Sequence, residues 1–126
     1  MEPRSYHVVV YFQFLDTLIA IGGDYKKKSC EQFDPVANKW GPFAPLNEGR
    51  HSFGATVIDD RIFVAGGVGV DSVEVFDGSA WSIISKMPQS RRFGSAVALD
   101  GKLVLLGGDK EEVDAFDPYP TTVGLP

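Results

Sequence analysis

Three glycine pairs recur along the 126-residue chain, at Gly22-Gly23, Gly66-Gly67 and Gly107-Gly108. The intervals are 66−22 = 44 and 107−66 = 41 residues. Each pair ends an apolar run: Leu18-Ile19-Ala20-Ile21, Ile62-Phe63-Val64-Ala65 and Leu103-Val104-Leu105-Leu106. Self-similarity at this period marks a repeat architecture, in which one supersecondary unit is stacked on copies of itself. Such a chain more often presents a surface than a reaction centre.

Aligning the copies on the glycines shows more of the unit. Phe33 lies 33−23 = 10 residues after Gly23, Phe76 lies 76−67 = 9 after Gly67, and Phe116 lies 116−108 = 8 after Gly108. Each phenylalanine ends a strand-like segment closed by an Asp turn: Asp34-Pro35, Asp77-Gly78 and Asp117-Pro118. A tryptophan follows in two copies, Trp40 and Trp81, while Thr122 stands near that place in the third. Upstream, the segment 52–60 matches 92–101 on a shared Phe-Gly step, which aligns Ser52 with Arg92. Asp59-Asp60 and Asp100-Gly101 are hairpin signals, and Leu15-Asp16-Thr17 is the turn of the first copy. One unit therefore reads strand, tight turn, strand, Gly-Gly, variable loop, strand, Asp turn, Trp-bearing strand, which is a four-stranded antiparallel meander.

These features together resemble the kelch repeat, from about His7 to Asp117. The resemblance implies an all-β fold of kelch-type β-propeller blades, about three of them, which is an incomplete ring by itself. The whole chain, 1–126, reads as one kelch segment with approximate blades 5–46, 47–88 and 89–126, the last incomplete. The runs before the glycines are apolar without alternation, as suits strands covered on both faces. The glycines allow positive φ or close backbone approach. Phe33, Phe76, Phe116, Trp40 and Trp81 are expected to fill the space between stacked sheets. Propellers close with about 4–8 blades. The chain is thus expected to be a piece or isoform of a longer propeller, or to assemble with copies of itself, two chains supplying six blades.

Composition narrows the function. The net charge is 12−17 = −5 and the isoelectric point is about 4.9, which disfavours a nucleic-acid partner. Lys26-Lys27-Lys28 is the only basic run and falls in a loop. Cys30 is the single cysteine, so no internal disulfide forms, and it reads as a small buried hydrophobe. No signal-peptide pattern and no run of membrane-spanning length is present, so a cytoplasmic setting is expected. His7 and His51 are far apart and Cys30 adds nothing at zinc spacing, so no metal site is expected. The acidic run at 109–112 lacks the ligand order of a calcium loop. Gly67-Val68-Gly69 has neither a third glycine nor a following helix pattern, and no nucleophile elbow occurs. The expectation is therefore a chain without catalytic residues, cofactor or enzyme activity.

Binding is expected on loops. The blade-to-blade connections carry Arg50, His51 and Ser52 in one copy and Ser90, Arg91 and Arg92 in the next. The kelch resemblance places Ser52 and Arg92 against a partner pocket, with the others beside them. An arginine fork binds a carboxylate through two parallel hydrogen bonds, which suits an acidic peptide. Tyr25 and Asp71, in the loops after the glycine pairs, complete the candidate set. The resemblance implies a protein–protein interaction module like the substrate-recognition part of kelch-like adaptors of cullin-based ubiquitin ligases. The kelch pattern begins by about His7 and leaves no room here for a BTB domain. The alternatives are an actin-binding kelch protein, a fragment of a sugar-active oxidase or mutarotase, and a truncated product without activity of its own.

Overall fold

The computed structural model describes residues 1–87, 92, 95–108 and 114–116. Its strands group into three antiparallel sheets. The first holds β1 (Val8–Phe12), β2 (Thr17–Ile21), β3 (Cys30–Asp34) and β4 (Lys39–Phe43) in that order. The second holds β5 (Gly54–Ile58), β6 (Arg61–Ala65), β7 (Ser72–Phe76) and β8 (Trp81–Lys86), again in order. In the third, β10 (Lys102–Leu106) lies between β9 (Ser95–Leu99) and β11 (Asp114–Phe116). Each sheet is one meander of the expected unit, so the fold is all-β and built of propeller-type blades. The fourth-strand position of the third blade, with Asp117 and Thr122, lies outside the described residues.

Turn chemistry sets the register of each blade. Asp59 and Asp60 take φ of 50° and 58°, and Asp100 and Gly101 take 51° and 72°. Two successive left-handed residues make the tight turn that matches strand twist. The first hairpin is longer: a 3-10 turn, Gln13–Leu15, is closed by Asp16 in the left-handed region. Asp34 accepts hydrogen bonds from the Val36 and Ala37 amides at 2.9 and 3.2 Å, and Asp77 from those of Ser79 and Ala80 at 2.9 and 3.1 Å. These bonds hold the Asp77 carboxyl below the usual carboxylate range. The recurrent aspartates are turn formers, as their spacing suggests.

Pairing corrects one alignment. Gly54 pairs with Ala65, just before Gly66, and Ser95 pairs with Leu106, just before Gly107. Ser95 is therefore the counterpart of Gly54, Arg92 of His51, and Arg91 of Arg50. Counted along the sequence from these pairs, the shared Phe-Gly step falls one residue out of step. In the first blade Val8 pairs with Ile21, just before Gly22, so Tyr6 is the counterpart of Ser52.

The core is two apolar layers between successive blades. Between the first and second lie Val10, Phe12, Ile19, Ile21, Leu46, Phe53, Ile62, Val64, Phe76 and Trp81. Between the second and third lie Ile58, Phe63, Ala65, Val73, Val75, Met87, Leu103 and Leu105. Blade two is thus covered on both faces, which is why β7 is buried throughout and β6 is apolar and buried from Ile62 to Ala65, after the exposed Arg61 at its start. The Phe76 ring centroid lies 4.7 Å from Phe43, 5.5 Å from Trp81 and 6.0 Å from Phe12. Trp81 Nε1 donates to the Ala44 carbonyl at 2.9 Å, tying one blade to the other. Trp40 and Phe33 correct the expectation of core packing. They stack on each other at 5.3 Å but are only half-buried, because they face away from blade two. The side chain of Phe116 lies outside the described residues. Trp81→Ala removes the largest ring of the first layer and one hydrogen bond. Urea denaturation should show a loss of about 3–5 kcal/mol.

Candidate functional site

A buried arginine underlies the loop edge that carries the glycine pairs. Arg50 is fully buried. Its Nη1 donates to the Gly66 and Ser72 carbonyls, both at 2.9 Å. Its Nη2 donates to Ser72 Oγ at 2.8 Å and Glu74 Oε2 at 2.7 Å. Glu74, equally buried, also accepts from the Asn47 amide, Asn47 Nδ2 and the Glu48 amide at 2.9, 3.2 and 3.0 Å. A buried ion pair is tolerable only when the remaining hydrogen-bonding capacity is well used, and here it joins β6, β7 and the incoming crossover.

The same lock recurs in the first blade. Arg4 Nη1 donates to the Gly22 and Ser29 carbonyls at 2.7 and 2.8 Å. Arg4 Nη2 meets Ser29 Oγ at 3.3 Å and Glu31 Oε1 at 3.0 Å. The Glu2 amide donates to Glu31 at 3.1 Å, as the Glu48 amide does to Glu74. The arginine precedes its glycine pair by 66−50 = 16 residues in blade two and by 22−4 = 18 in blade one. The longer first hairpin accounts for the difference of two. In the third blade Asp114 pairs with Leu105, as Glu74 pairs with Val64, and so stands at the carboxylate position.

The glycines permit this arrangement. A Cβ on Gly22 would lie 2.6 Å from the Arg50 carbonyl oxygen, and one on Gly67 2.8 Å from that of His51. Gly22, Gly23, Gly66, Gly67, Gly107 and Gly108 all have positive φ.

Arg50 therefore leaves the set of candidate partner-binding residues: its whole donor fork is turned inward. The rest of the set lies as follows. His51 and Ser52 are half-buried on the same crossover, Ser52 with φ 54°. Tyr25 is 97% exposed, Arg92 is exposed and Asp71 is half-buried. Ser90 and Arg91 lie outside the described residues. Tyr6 was not singled out from sequence; it is exposed, with φ 55°, at the position of Ser52. Its signal was concealed by the longer first hairpin.

Backbone hydrogen bonds lace these loops together. The Ser52 amide donates to the Tyr6 carbonyl at 2.9 Å, and the Val68 amide to that of His51 at 3.2 Å. The Gly23 amide donates to the Arg50 carbonyl at 2.9 Å, and the Arg50 amide to that of Lys27 at 3.3 Å. The Asp71 carbonyl accepts from the Met87 amide at 2.7 Å. A depression of about 370 Å³ opens beside them, lined by Pro3, Arg4, Ser5, Asp24, Tyr25 and Lys27. Lys26 and Lys28 are exposed beside it, while Lys27 pairs with Glu2 at 3.8 Å.

Burial, then the Arg4 charge, holds His7 below the ordinary imidazole value. Burial pushes the Cys30 thiol up to about 11. Among the described residues no group of three or more His, Cys, Asp or Glu is placed to hold a metal ion. No helix among them is long and apolar enough to cross a membrane.

Arg50→Ala strands the Glu74 charge and should cost about 3–5 kcal/mol in urea unfolding. Tyr25→Ala, at an exposed side chain, should stay within about 0.5 kcal/mol. Cys30 should react with iodoacetamide far more slowly in the native protein at pH 8 than in urea. Its raised pKa means that this residue's contribution to stability is complete below the ordinary thiol pKa. That contribution is lost as pH rises through about 11.

The kelch motif model matches residues 49–88, which are blade two with its incoming crossover. Mouse Kelch-like protein 40 is 38% identical over 119 residues, covering 85% of this chain and 19% of that protein. Mouse Kelch-like protein 35 is 32% identical, covering 93% and 22%, and human Kelch-like protein 23 is 30% identical, covering 94% and 23%. The chain thus spans about a fifth of the length of these relatives. Among solved structures, a fungal alcohol oxidase of the AA5 family, in complex with copper, superposes with a TM-score of 0.71 at 19% identity, covering 91% of this chain and 28% of that one. YjhT superposes with a TM-score of 0.67 at 18% identity, covering 90% and 40%. At such identities the structural likeness is one of fold. The glycine-pair meander, the family model and the relatives agree, and the chain belongs to the kelch-repeat family.

Proposed function

We propose that this chain is a protein-recognition module whose loop edge holds a short acidic segment of a partner protein. The observation that carries the reading is the laced edge itself. Four loop segments, ending in Tyr6, Tyr25, Ser52 and Val68, are fixed to one another by backbone hydrogen bonds while their tyrosines project into solvent. A rigid edge loses little conformational entropy on binding. Exposed tyrosines offer large contact area with a polar tip.

Within that reading each residue has a task. Tyr6 and Tyr25 supply stacking area, and His51, Ser52 and Asp71 supply polar contacts. Arg92 supplies charge, joined by Ser90 from the same crossover, while Arg91, at the position of Arg50, leaves the set with it. Lys26 and Lys28 add long-range attraction for carboxylates. The setting that fits is the substrate-recognition part of a kelch-like adaptor of a cullin-based ubiquitin ligase, in the cytoplasm and without catalysis of its own. The kelch-like relatives support this setting through their similarity over most of this chain.

The test is an array of acidic peptides with sequence-matched basic controls, probed with the wild type and Arg92→Ala. The wild type should retain acidic members selectively. The substitution should weaken them roughly tenfold, as expected for a hydrogen bond to a charged group. Signals equal for both proteins, or equal for acidic and basic peptides, would remove the assignment.

A further inference from the structure

We propose that the tip of the first hairpin, Phe14-Leu15, is an apolar anchor for a cationic amphipathic segment of a partner protein, at the edge opposite the glycine-pair loops. It uses other residues than the recognition edge, so either reading can fail without the other.

The argument begins with loop length. Four residues separate the paired Phe12 and Thr17, whereas two separate Ile58 from Arg61 and two separate Leu99 from Lys102. The shorter loops are Asp59-Asp60 and Asp100-Gly101, residue types that tight turns favour. The first copy instead spends its extra length on phenylalanine and leucine, which are 59% and 46% exposed. Apolar surface left in water adds nothing to stability, so the fold does not account for these two residues.

The tip is held in place. The Asp16 amide donates to the Gln13 carbonyl at 3.0 Å, and Asp16 closes the 3-10 turn at φ 49°. Tyr11 Oη donates to Asp16 Oδ1 at 2.5 Å. The Phe14 ring lies 5.8 Å from that of Phe12, which is buried in the seam with blade two. Phe14 Cε2 stands 3.8 Å from where a Cβ on Gly78 would lie, so the ring leans over the Asp77 turn of blade two. Its exposure is that of a loop tip above a sealed seam and does not arise from the outer face of blade one. A fixed aromatic loses little entropy when a partner covers it, and such residues anchor interfaces.

The surroundings select the partner's charge. A meander puts its first and third turns at one edge, and every blade places aspartates there. They are Asp16 and Asp34 in the first, Asp59, Asp60 and Asp77 in the second, and Asp100 in the third, all exposed. Lys39, Arg61 and Lys102 are the cations at this edge among the described residues, so carboxylates outnumber them two to one. Asp16 and Asp77 flank the Phe14 ring itself. An apolar anchor with a charged rim is the usual anatomy of a protein interface, and complementary charge here means lysine or arginine. The two edges of the module then hold partners of opposite charge.

The experiment is fluorescence anisotropy of labelled peptides titrated with the full chain. The probes are an amphipathic Lys/Leu peptide, the same peptide with Glu for Lys, and the same with Ser for Leu. The wild type should bind the Lys/Leu peptide at least tenfold more tightly than either control. Phe14→Ser should weaken that binding about tenfold, and Phe14→Leu should restore most of it. Asp77→Asn keeps an oxygen for the turn amides and should weaken it about two- to threefold. Far-UV circular dichroism checks each variant, and Leu15→Ser, also expected to weaken binding, decides the matter if Phe14→Ser loses its strand signal. Equal affinity for the Lys/Leu and Lys/Ser peptides overturns the proposal, since charge alone then accounts for binding. Equal affinity for the Lys/Leu and Glu/Leu peptides overturns it too, as does wild-type binding by Phe14→Ser and Leu15→Ser. Self-association of the chain that Leu15→Ser abolishes overturns it in favour of a second copy. Retention on phosphatidylcholine vesicles that Leu15→Ser abolishes overturns it in favour of a lipid surface.

Discussion

An arginine with no access to water holds each fully described blade at the edge where its function would lie. Burying a guanidinium is costly, and the cost is offset only if its donors and its carboxylate partner are well occupied. Arg50 meets most of that demand: its Nη1 and Nη2 bind two carbonyls, a hydroxyl and a carboxylate from two segments, the end of β6 and β7, while its buried Nε has no partner among the described residues. The demand propagates. The carbonyls of Gly66 and Ser72 must turn inward, so β6 and β7 must end together. The crossover must pass close over the strand end, so the residues beneath it must lack side chains. The glycine pair, the serine that opens β7 and the acidic residue within it are consequences of placing one charge.

Much of the scaffold was legible in the chain. The meander followed from apolar runs, Asp turns and paired glycines, each of which acts locally and leaves a local mark. The lock left a weaker one. Arg50 sits in a connecting segment, where an arginine is ordinarily solvated, and its partners Ser72 and Glu74 come 22 and 24 residues later. Its signature is the recurrence of Glu2-Pro3-Arg4 in Glu48-Gly49-Arg50, followed by Ser29 and Glu31 in one copy and Ser72 and Glu74 in the other. Counting from the glycines misses it, because the first hairpin is longer. The Phe-Gly step misled for a related reason: two residues matched by type while the turn, which fixes register, placed them one apart. For Phe33 and Trp40, sequence identifies a packing pair but does not say which blade covers it.

Two kinds of surface emerge from one repeat, and different forces shape them. The blade faces are apolar and nearly interchangeable, since each must mate with the next. The loop edge varies from copy to copy: Tyr6 in one unit stands where Ser52 stands in another, on backbone of nearly the same φ. Holding the backbone constant while the side chain changes lets a repeat protein diversify recognition without disturbing its stacking. The buried arginine separates these roles by taking the edge's backbone out of play.

The crossovers have a bearing on how such a chain can be cut and rejoined. The crossover into blade two sends Arg50 into the blade that it opens while its preceding apolar residue, Leu46, packs in the seam with the blade that it leaves. The seam in the sequence is therefore not a seam in the energy. New termini are better tolerated at exposed loop tips that close no such bond, and Asp59-Asp60 is one of these. Recombining blades between relatives would keep folding only if every unit travelled with the crossover ahead of it. The natural module of exchange is the blade together with its own arginine, displaced by a few residues from the blade that the eye would draw.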